Sequence, residues 1–446
     1  MSWRRTIGHK IVMMAALTIS VAALPFSVKI CHAGLIVLAI SWILEGQWHS
    51  KIEIIRQSFL LQLIIAFFFI QLFGLAFSEN ISEGWLSVEK KIFLLLVPLA
   101  LATTSIKLKE KEVKWVVVIF IGTCFLGTVL CLFDAWHQSE MFRQGKADVN
   151  PYLATSSYFE LNPLTSQTWL FFSYIGLSEG ISIHPTYFSL YLGFCVIFLL
   201  WQLPLLQSRR MQTGAVFLIF YFSVFVVFLS SRIMMLALAI IFAAMLVRSV
   251  LTRQRSVTAV ILVTTFVFAV LVLLNPVARY RSLQEISYNT FRIKPGQEYQ
   301  DAAHIRFSLW WLAFKSSSRS NPLIGAGTGD VKGVMAEASD AYRITNVIHS
   351  DDPHNQFLYT LLANGYPGAV LLLLCFALPA VVAWQQSDYL LLGFTFIFCL
   401  LSLTESALEL QKGIAFYAIF FPLLFFQLRS YQAVTVNLRS MLHAPH

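Results

Sequence analysis

The stretch His349-Ser-Asp-Asp-Pro-His354-Asn-Gln-Phe-Leu-Tyr-Thr-Leu-Leu-Ala-Asn-Gly365-Tyr-Pro-Gly368 runs from a polar, histidine-bearing cluster straight into a long apolar segment. Residues 356 to 383 read as a transmembrane helix, since a bilayer core takes roughly 20 apolar residues to cross. His354 and Asn355 then sit where that helix meets water, with Asp351 and Asp352 just outside. An imidazole at a lipid–water boundary, beside carboxylates and a helix N-terminus, has the properties of a general base. The same residues also suit a plain helix start, with Asn355 or Asp352 as the cap.

Outward from this stretch, the whole chain has the same character. It is 57% hydrophobic and 12% charged, with a mean hydropathy of +0.70, which excludes a soluble core and marks an integral membrane protein. Apolar runs occur at about 11–26, 30–44, 57–77, 91–106, 113–133, 184–203, 213–230, 233–247, 256–276, 356–383, 388–403 and 413–428. The expected fold is all-α and polytopic, with about twelve transmembrane helices and a large loop carrying amphipathic helices. Four segments follow: helices with a loop at 134–183 in 1–183, central spans in 184–276, the large loop in 277–355, and the last spans with a short tail in 356–446.

Lysine and arginine placement sets the orientation. If the N-terminus is cytoplasmic, that side holds Arg4, Arg5, Lys10, Lys51, Arg56, Lys107, Lys109, Lys111, Lys114, Arg209, Arg210, Arg248, Arg253, Arg255, Arg429 and Arg439. The opposite short loops hold Lys29, Lys90, Lys91, Arg232 and Lys412, a bias of sixteen against five. Both termini are therefore expected in the cytoplasm and both long loops outside it. The net charge of +9 is largely this excess, which points to anionic lipid rather than nucleic acid. Arg4-Arg5 before a short apolar run reads as an uncleaved first helix, because no small-residue cleavage pattern follows. The six cysteines fall inside predicted spans, so no disulfide framework or zinc spacing is present.

Within the large loop, a helix is expected from about Ala302 to Ser318. Phe307, Trp311 and Phe314 fall on one face suited to the membrane interface, with Arg306 and Trp310 on the adjacent face. A structural interfacial helix with Arg306 reaching to water accounts for this spacing as well. Next comes Asn321-Pro-Leu-Ile-Gly325-Ala-Gly327-Thr-Gly329-Asp330, whose glycines would let backbone N–H groups approach a phosphate or a sugar. No strand-turn-helix context surrounds it.

Three further positions stand out. Arg232, in Phe228-Leu-Ser-Ser-Arg232, lies at a tight turn between spans on the side where arginine is disfavoured, and neither adjoining span offers a carboxylate. An anionic ligand or backbone carbonyls would offset its desolvation. His184-Pro185-Thr186-Tyr187 opens a span and serves either as a site or as a helix start. Glu405 and Glu409 share a helical face near an outward turn. Glu405 reads as structural, and Glu409 as a sugar ligand or a partner of Lys412.

Taken in order, Ser231-Arg232 between two spans, Arg306 with Trp310, Gly325-x-Gly327-x-Gly329 and His354-Asn355 before Gly365 and Gly368 resemble the bacterial O-antigen ligase/polymerase family. The resemblance extends from about His184 to Gln427, including Glu409-Leu-Gln411-Lys-Gly413, and the first six spans match in number and hydrophobicity alone. It implies a transferase that takes a glycan from an undecaprenyl-diphosphate carrier at the periplasmic face of the inner membrane. The loop 277–355 would be its periplasmic catalytic loop. On that reading Arg232 and Arg306 bind the donor diphosphate and His354 deprotonates an acceptor hydroxyl, with inversion and without metal or cofactor. His184, Tyr187, Trp310, Gly325, Gly327, Gly329, Asn355 and Glu409 would contact substrate. The expected acceptor is the lipid A core. The alternatives are a polymerase extending a growing glycan, a protein O-oligosaccharyltransferase, and a polyprenyl-glycan flippase. The last would call for ionisable residues at mid-membrane, and the runs 57–77, 113–133 and 256–276 have none.

Overall fold

A computed structural model describes residues 3–146, 166–284, 293–294, 296, 298–299, 302–346 and 352–428. The readings placed on His349, Asp351, Arg429 and Arg439 lie outside the described residues. The helices, in chain order, are α1 (Trp3–Ala23), α2 (Val28–Glu45), α3 (Trp48–Gln57), α4 (Phe59–Leu75), α5 (Ile81–Thr103), α6 (Glu110–Arg143), α7 (Ser166–Phe171), α8 (Tyr174–Ser178) and α9 (Pro185–Gln202). They continue with α10 (Arg209–Phe228), α11 (Arg232–Leu251), α12 (Arg255–Leu274), α13 (Pro276–Arg279), α14 (Ala302–Ser317), α15 (Val331–Tyr342), α16 (Gln356–Gln385), α17 (Tyr389–Thr404) and α18 (Gln411–Pro422). Among the described residues the one sheet is a two-residue parallel pairing of Glu298–Tyr299 with Thr345–Asn346. The all-α, multi-span expectation holds.

Each of the twelve apolar runs becomes a helix, but the number of spans is smaller by length and composition. Among the described residues, eight helices are long and apolar enough to cross a membrane, or nine if α3 and α4, bent by 95°, form one span. The shortfall has local causes. α5 carries Glu83, Glu89, Lys90 and Lys91 in its first half, and α17 is a shorter apolar helix. Large apolar side chains on the outside of the helices, such as Ile36, Ile40, Leu262, Val263 and Phe266, are exposed, as expected of surfaces that meet lipid.

The chain divides into two compact units. The first comprises residues 1–119, 290–391 and 402–446. Its central helix is α18, buried on all sides and packed on α5, while α1 packs on α2 and α4 on α16. A helix apolar all round belongs in such an interior. In this unit α14 buries Ile305, Leu309, Leu312 and Ala313 against Val331, Met335, Tyr359 and Leu362. The packing stripe of α14 is thus Ile305-Leu309-Leu312. Of the aromatic face expected at the membrane interface, Phe314 is exposed, whereas Trp311 packs edge-on against Tyr342.

α16 starts at Asn355, whose Oδ1 accepts from the N–H groups of Phe357 and Leu358 at 3.0 and 3.1 Å. It is broken at Gly365, with φ 64° and ψ −165°. The break is required by the segment lying against it. A Cβ on Gly365 would stand 2.4 Å from the Pro322 carbonyl oxygen, and one on Gly325, at φ +80°, would stand 2.6 Å from the Ala363 carbonyl carbon.

The second unit comprises residues 120–289 and 392–401. Its centre is α9, nearly all of it buried, with Pro185 in the first turn where its missing N–H costs nothing. Phe194 packs edge-on against Phe394, and Phe120 against Tyr191. Asn275 caps α13 and donates through Nδ2 to Ser173 at 3.2 Å, tying the end of α12 to the start of α8.

Candidate functional site

The first unit gathers three of its polar residues on one carboxylate. Glu405 follows the last residue of α17 and opens the turn 405–410 that leads to α18. Its side chain, 6% exposed, accepts from Arg306 Nη2 on Oε1 at 2.7 Å and meets His354 Nδ1 through Oε2 at 3.2 Å. Arg306 comes from α14 because the Ile305-Leu309-Leu312 stripe turns its neighbour toward the turn, and His354 comes from the segment that enters α16.

Local geometry fixes His354. Its backbone is left-handed, with φ +47°, which a non-glycine residue adopts only when its surroundings hold it there. Asp352 does so by accepting the His354 N–H at 2.7 Å, and Ser406 donates its hydroxyl to the same carboxylate oxygen. Trp310 Nε1 donates a long bond of 3.4 Å to the His354 carbonyl. Asn355, besides capping α16, donates to the Leu403 carbonyl at 3.0 Å. The turn 405–410 and the start of α16 are therefore stitched together around the imidazole.

Two opposed effects set the charge of that imidazole. Burial favours the neutral ring and pulls its pKa down. The hydrogen bond and charge of Glu405, aided by Asp352, outweigh this and the repulsion from Arg306, so the net shift is upward from the usual 6.5. With Nδ1–H directed at Glu405, the nitrogen that takes a further proton is Nε2.

Glu409 has a different partner from the one its spacing suggested. It pairs with Lys91 of α5 at 2.7 Å, with side chains 10% and 2% exposed, rather than with Lys412. Ser87 donates to Glu409 at 3.0 Å, Gln356 Nε2 donates to it at 3.2 Å, and Lys91 also donates to Gln71 and Ser87. Gln356 in turn accepts the Leu408 N–H at 2.7 Å. A charge this deeply buried needs such a shell, and the shell anchors the other end of the same turn that carries Glu405.

The glycine run serves packing. Gly325 N–H donates to Asn321, Ala326 to the Leu362 carbonyl at 2.8 Å, Gly327 to the Ala363 carbonyl at 3.1 Å and Gly329 to Ser78 Oγ at 3.0 Å. The Asp330 carboxylate accepts the N–H groups of Glu79 and Asn80, each at 2.8 Å. The N–H groups offered to a phosphate by the sequence reading are thus engaged inside the protein, where they join α4 and α5 to the break in α16.

In the second unit, α10 ends at Phe228 and Arg232 opens α11 after a two-serine turn. Ser230 is left-handed, with φ +50°, and its hydroxyl is turned back to the carbonyls of Val227 and Phe228. Arg232 is partly exposed at this turn. His184 caps α9, accepting the Thr186 N–H on Nδ1 at 3.3 Å, so its helix-start reading is realised. Tyr187 is buried in α9 at 2% exposure.

Sequence reasoning read Glu405 as structural, counted Lys91 only as a loop cation and passed over Ser406. The signal was present for the first: a carboxylate directly after an apolar run has to find a cation or a proton. For Lys91 the neighbouring Glu89 and Lys90 suggested a solvated loop, and nothing local announces the partner more than 300 positions away in Glu409.

Residues 215–373 of the chain match the O-antigen ligase family. The match spans Arg232, Arg306, the glycine run and His354, and ends before Glu405 and Glu409. It agrees with the resemblance carried by those motifs. The chain matches none of the curated proteins.

Proposed function

We propose, from the premise that residues 215–373 carry the O-antigen ligase match and that the protein is a multi-pass bacterial membrane protein, that it is an inverting oligosaccharyl transferase of the O-antigen ligase type. It moves a glycan from undecaprenyl diphosphate onto a hydroxyl of the lipid A core at the periplasmic face of the inner membrane. The observation that carries this reading is the Glu405 carboxylate shared by Arg306 and His354. Glu405 holds His354 in the tautomer with Nδ1–H, so that Nε2 removes the proton of the acceptor hydroxyl. The acceptor oxygen attacks the anomeric carbon from the face opposite the diphosphate, the bond from that carbon to the diphosphate oxygen breaks, and the lipid diphosphate leaves. A diphosphate leaving group needs positive charge more than a proton. Arg306 and Arg232 are the cations assigned to it, a task given to a divalent metal in other designs.

The test has two parts. In a strain lacking the protein, lipopolysaccharide should consist of core without polymer, whereas core bearing a single repeat would assign the chain to polymerisation instead. Purified protein should transfer glycan in excess EDTA, and Arg232→Ala or Arg306→Ala should abolish transfer with membrane expression intact. Lysine should rescue either one poorly, because an ammonium lacks the planar fork. A metal requirement that survives the EDTA control, or full activity in both alanine variants, would overturn the reading.

A further inference from the structure

The second unit contains an arginine that neither the sequence motifs nor the mechanism above uses. Arg281 lies in the π-helical turn Tyr280–Gln284 that follows α13. Its Nε donates to the Ser230 carbonyl at 3.2 Å, two residues before Arg232, and its guanidinium carbon lies over the Tyr174 ring, 3.6 Å from the ring centroid. The imidazole of His184 meets the same ring edge-on, with centroids 6.2 Å apart.

Two non-glycine residues held in the left-handed region, Tyr174 at φ +52° and Ser230 at φ +50°, come together at this one guanidinium. Such backbone cost persists where the surroundings fix it, often at ligand sites. The supporting chain is itself tied down by Asn275, 1% exposed, through Ser173 and the α13 cap. Anchored at Nε and across one face, Arg281 presents its two Nη groups as the remaining donors. Among the described residues no carboxylate forms an ion pair with it. A guanidinium fixed in this way is a preorganised fork for an oxyanion.

We infer that Arg281 is a further diphosphate-binding residue, acting beside Arg232 on the phosphoryl groups of the lipid-linked donor. The inference rests on the reading that Arg232 meets an anionic donor. Arg232 and Arg281 together favour two phosphoryl groups over one, so the site distinguishes the carrier diphosphate from the monophosphate.

The test uses full-length protein in nanodiscs with two probes, farnesyl diphosphate and farnesyl monophosphate. Arg281→Ala is expected to weaken diphosphate binding tenfold or more, to leave monophosphate binding within about twofold, and to keep the thermal midpoint of the wild type. Arg281→Lys should recover only part of the loss. Unchanged diphosphate affinity in Arg281→Ala, with Arg232→Ala impaired, overturns the assignment and leaves the Arg232 reading standing. Equal weakening of both probes with a lowered thermal midpoint also overturns it, because Arg281 then merely holds the Ser230 turn. If Arg232→Ala binds both probes normally while Arg281→Ala does not, the diphosphate role of Arg232 fails and that of Arg281 stands.

Discussion

Glu405 Oε2 lies 3.2 Å from His354 Nδ1 while its other oxygen accepts Arg306 Nη2 at 2.7 Å, so one buried carboxylate orients an imidazole and neutralises a guanidinium at once. Glu405 and Arg306 act on the imidazole with opposite sign. The carboxylate stabilises its protonated form and Arg306 disfavours it.

A first prediction concerns pH. If His354 is the base proposed above it acts only when neutral, so transfer should rise with pH through the His354 pKa, which lies above the usual 6.5. Glu405→Gln removes the charge that raises it, and the ascending limb should move to lower pH while the plateau rate falls about tenfold or more as the tautomer is lost. Arg306→Ala removes the opposing cation, and any residual activity should have its limb at higher pH. The same pair contributes stability fully below the unfolded-state value near 6.5, and that contribution fades as pH rises through the raised native value. Rate–pH profiles of the three proteins check this; a limb that stays in place in Glu405→Gln separates the carboxylate from the base.

The second concerns the buried pair at the far end of the turn 405–410. Lys91→Met leaves Glu409 without its cation in a nearly closed site and should destabilise the protein by about 3 kcal/mol or more. Lys91→Met combined with Glu409→Leu should recover much of that loss. Thermal unfolding in detergent measures both. A double variant no more stable than Lys91→Met would mean that the pair acts through the fold in some other way.

The glycine run separates packing from ligand binding. Gly325→Ala and Gly365→Ala should each lower expression and thermal stability, since both sites combine a positive φ with a Cβ inside contact distance of backbone. A phosphate cradle would instead give well-folded variants with weakened donor binding. Purified yield and melting point, measured beside farnesyl diphosphate binding, distinguish the two.

Membrane orientation is open to chemical labelling. In a background stripped of the six native cysteines, cysteine at Gly296 or Lys332 should react with an impermeant maleimide applied from the periplasm, and cysteine at Lys109 or Gln254 should not. The reverse pattern would put the Glu405 cluster on the wrong side for a periplasmic acceptor.

How much of this was legible in the sequence differs from element to element. The spans were readable because twenty apolar residues in a row leave few alternatives, and α14 was found to within a residue at each end from its periodicity. His354 and Arg306 stood out as polar residues in apolar surroundings. Glu405 stood out too but read as structural, because its two partners lie 51 and 99 positions away. The glycine run was ambiguous for a related reason. Glycine marks close approach of backbone, and local sequence cannot say whether phosphate or another segment of the chain makes the approach; here it is Ala363 and Pro322. The break at Gly365 has a local signal in Pro367, which cannot donate to the Ala363 carbonyl, but the segment carrying Pro322 that fills it is distant in sequence.

The central claim is that His354 activates the acceptor, and the most direct measurement compares donor binding with turnover in His354→Ala and His354→Gln. Transfer is expected to fall roughly 100-fold or more with undecaprenyl-diphosphate donor binding retained. If either variant turns over at a near wild-type rate, His354 only shapes the entry to α16 and the acceptor is activated by another group.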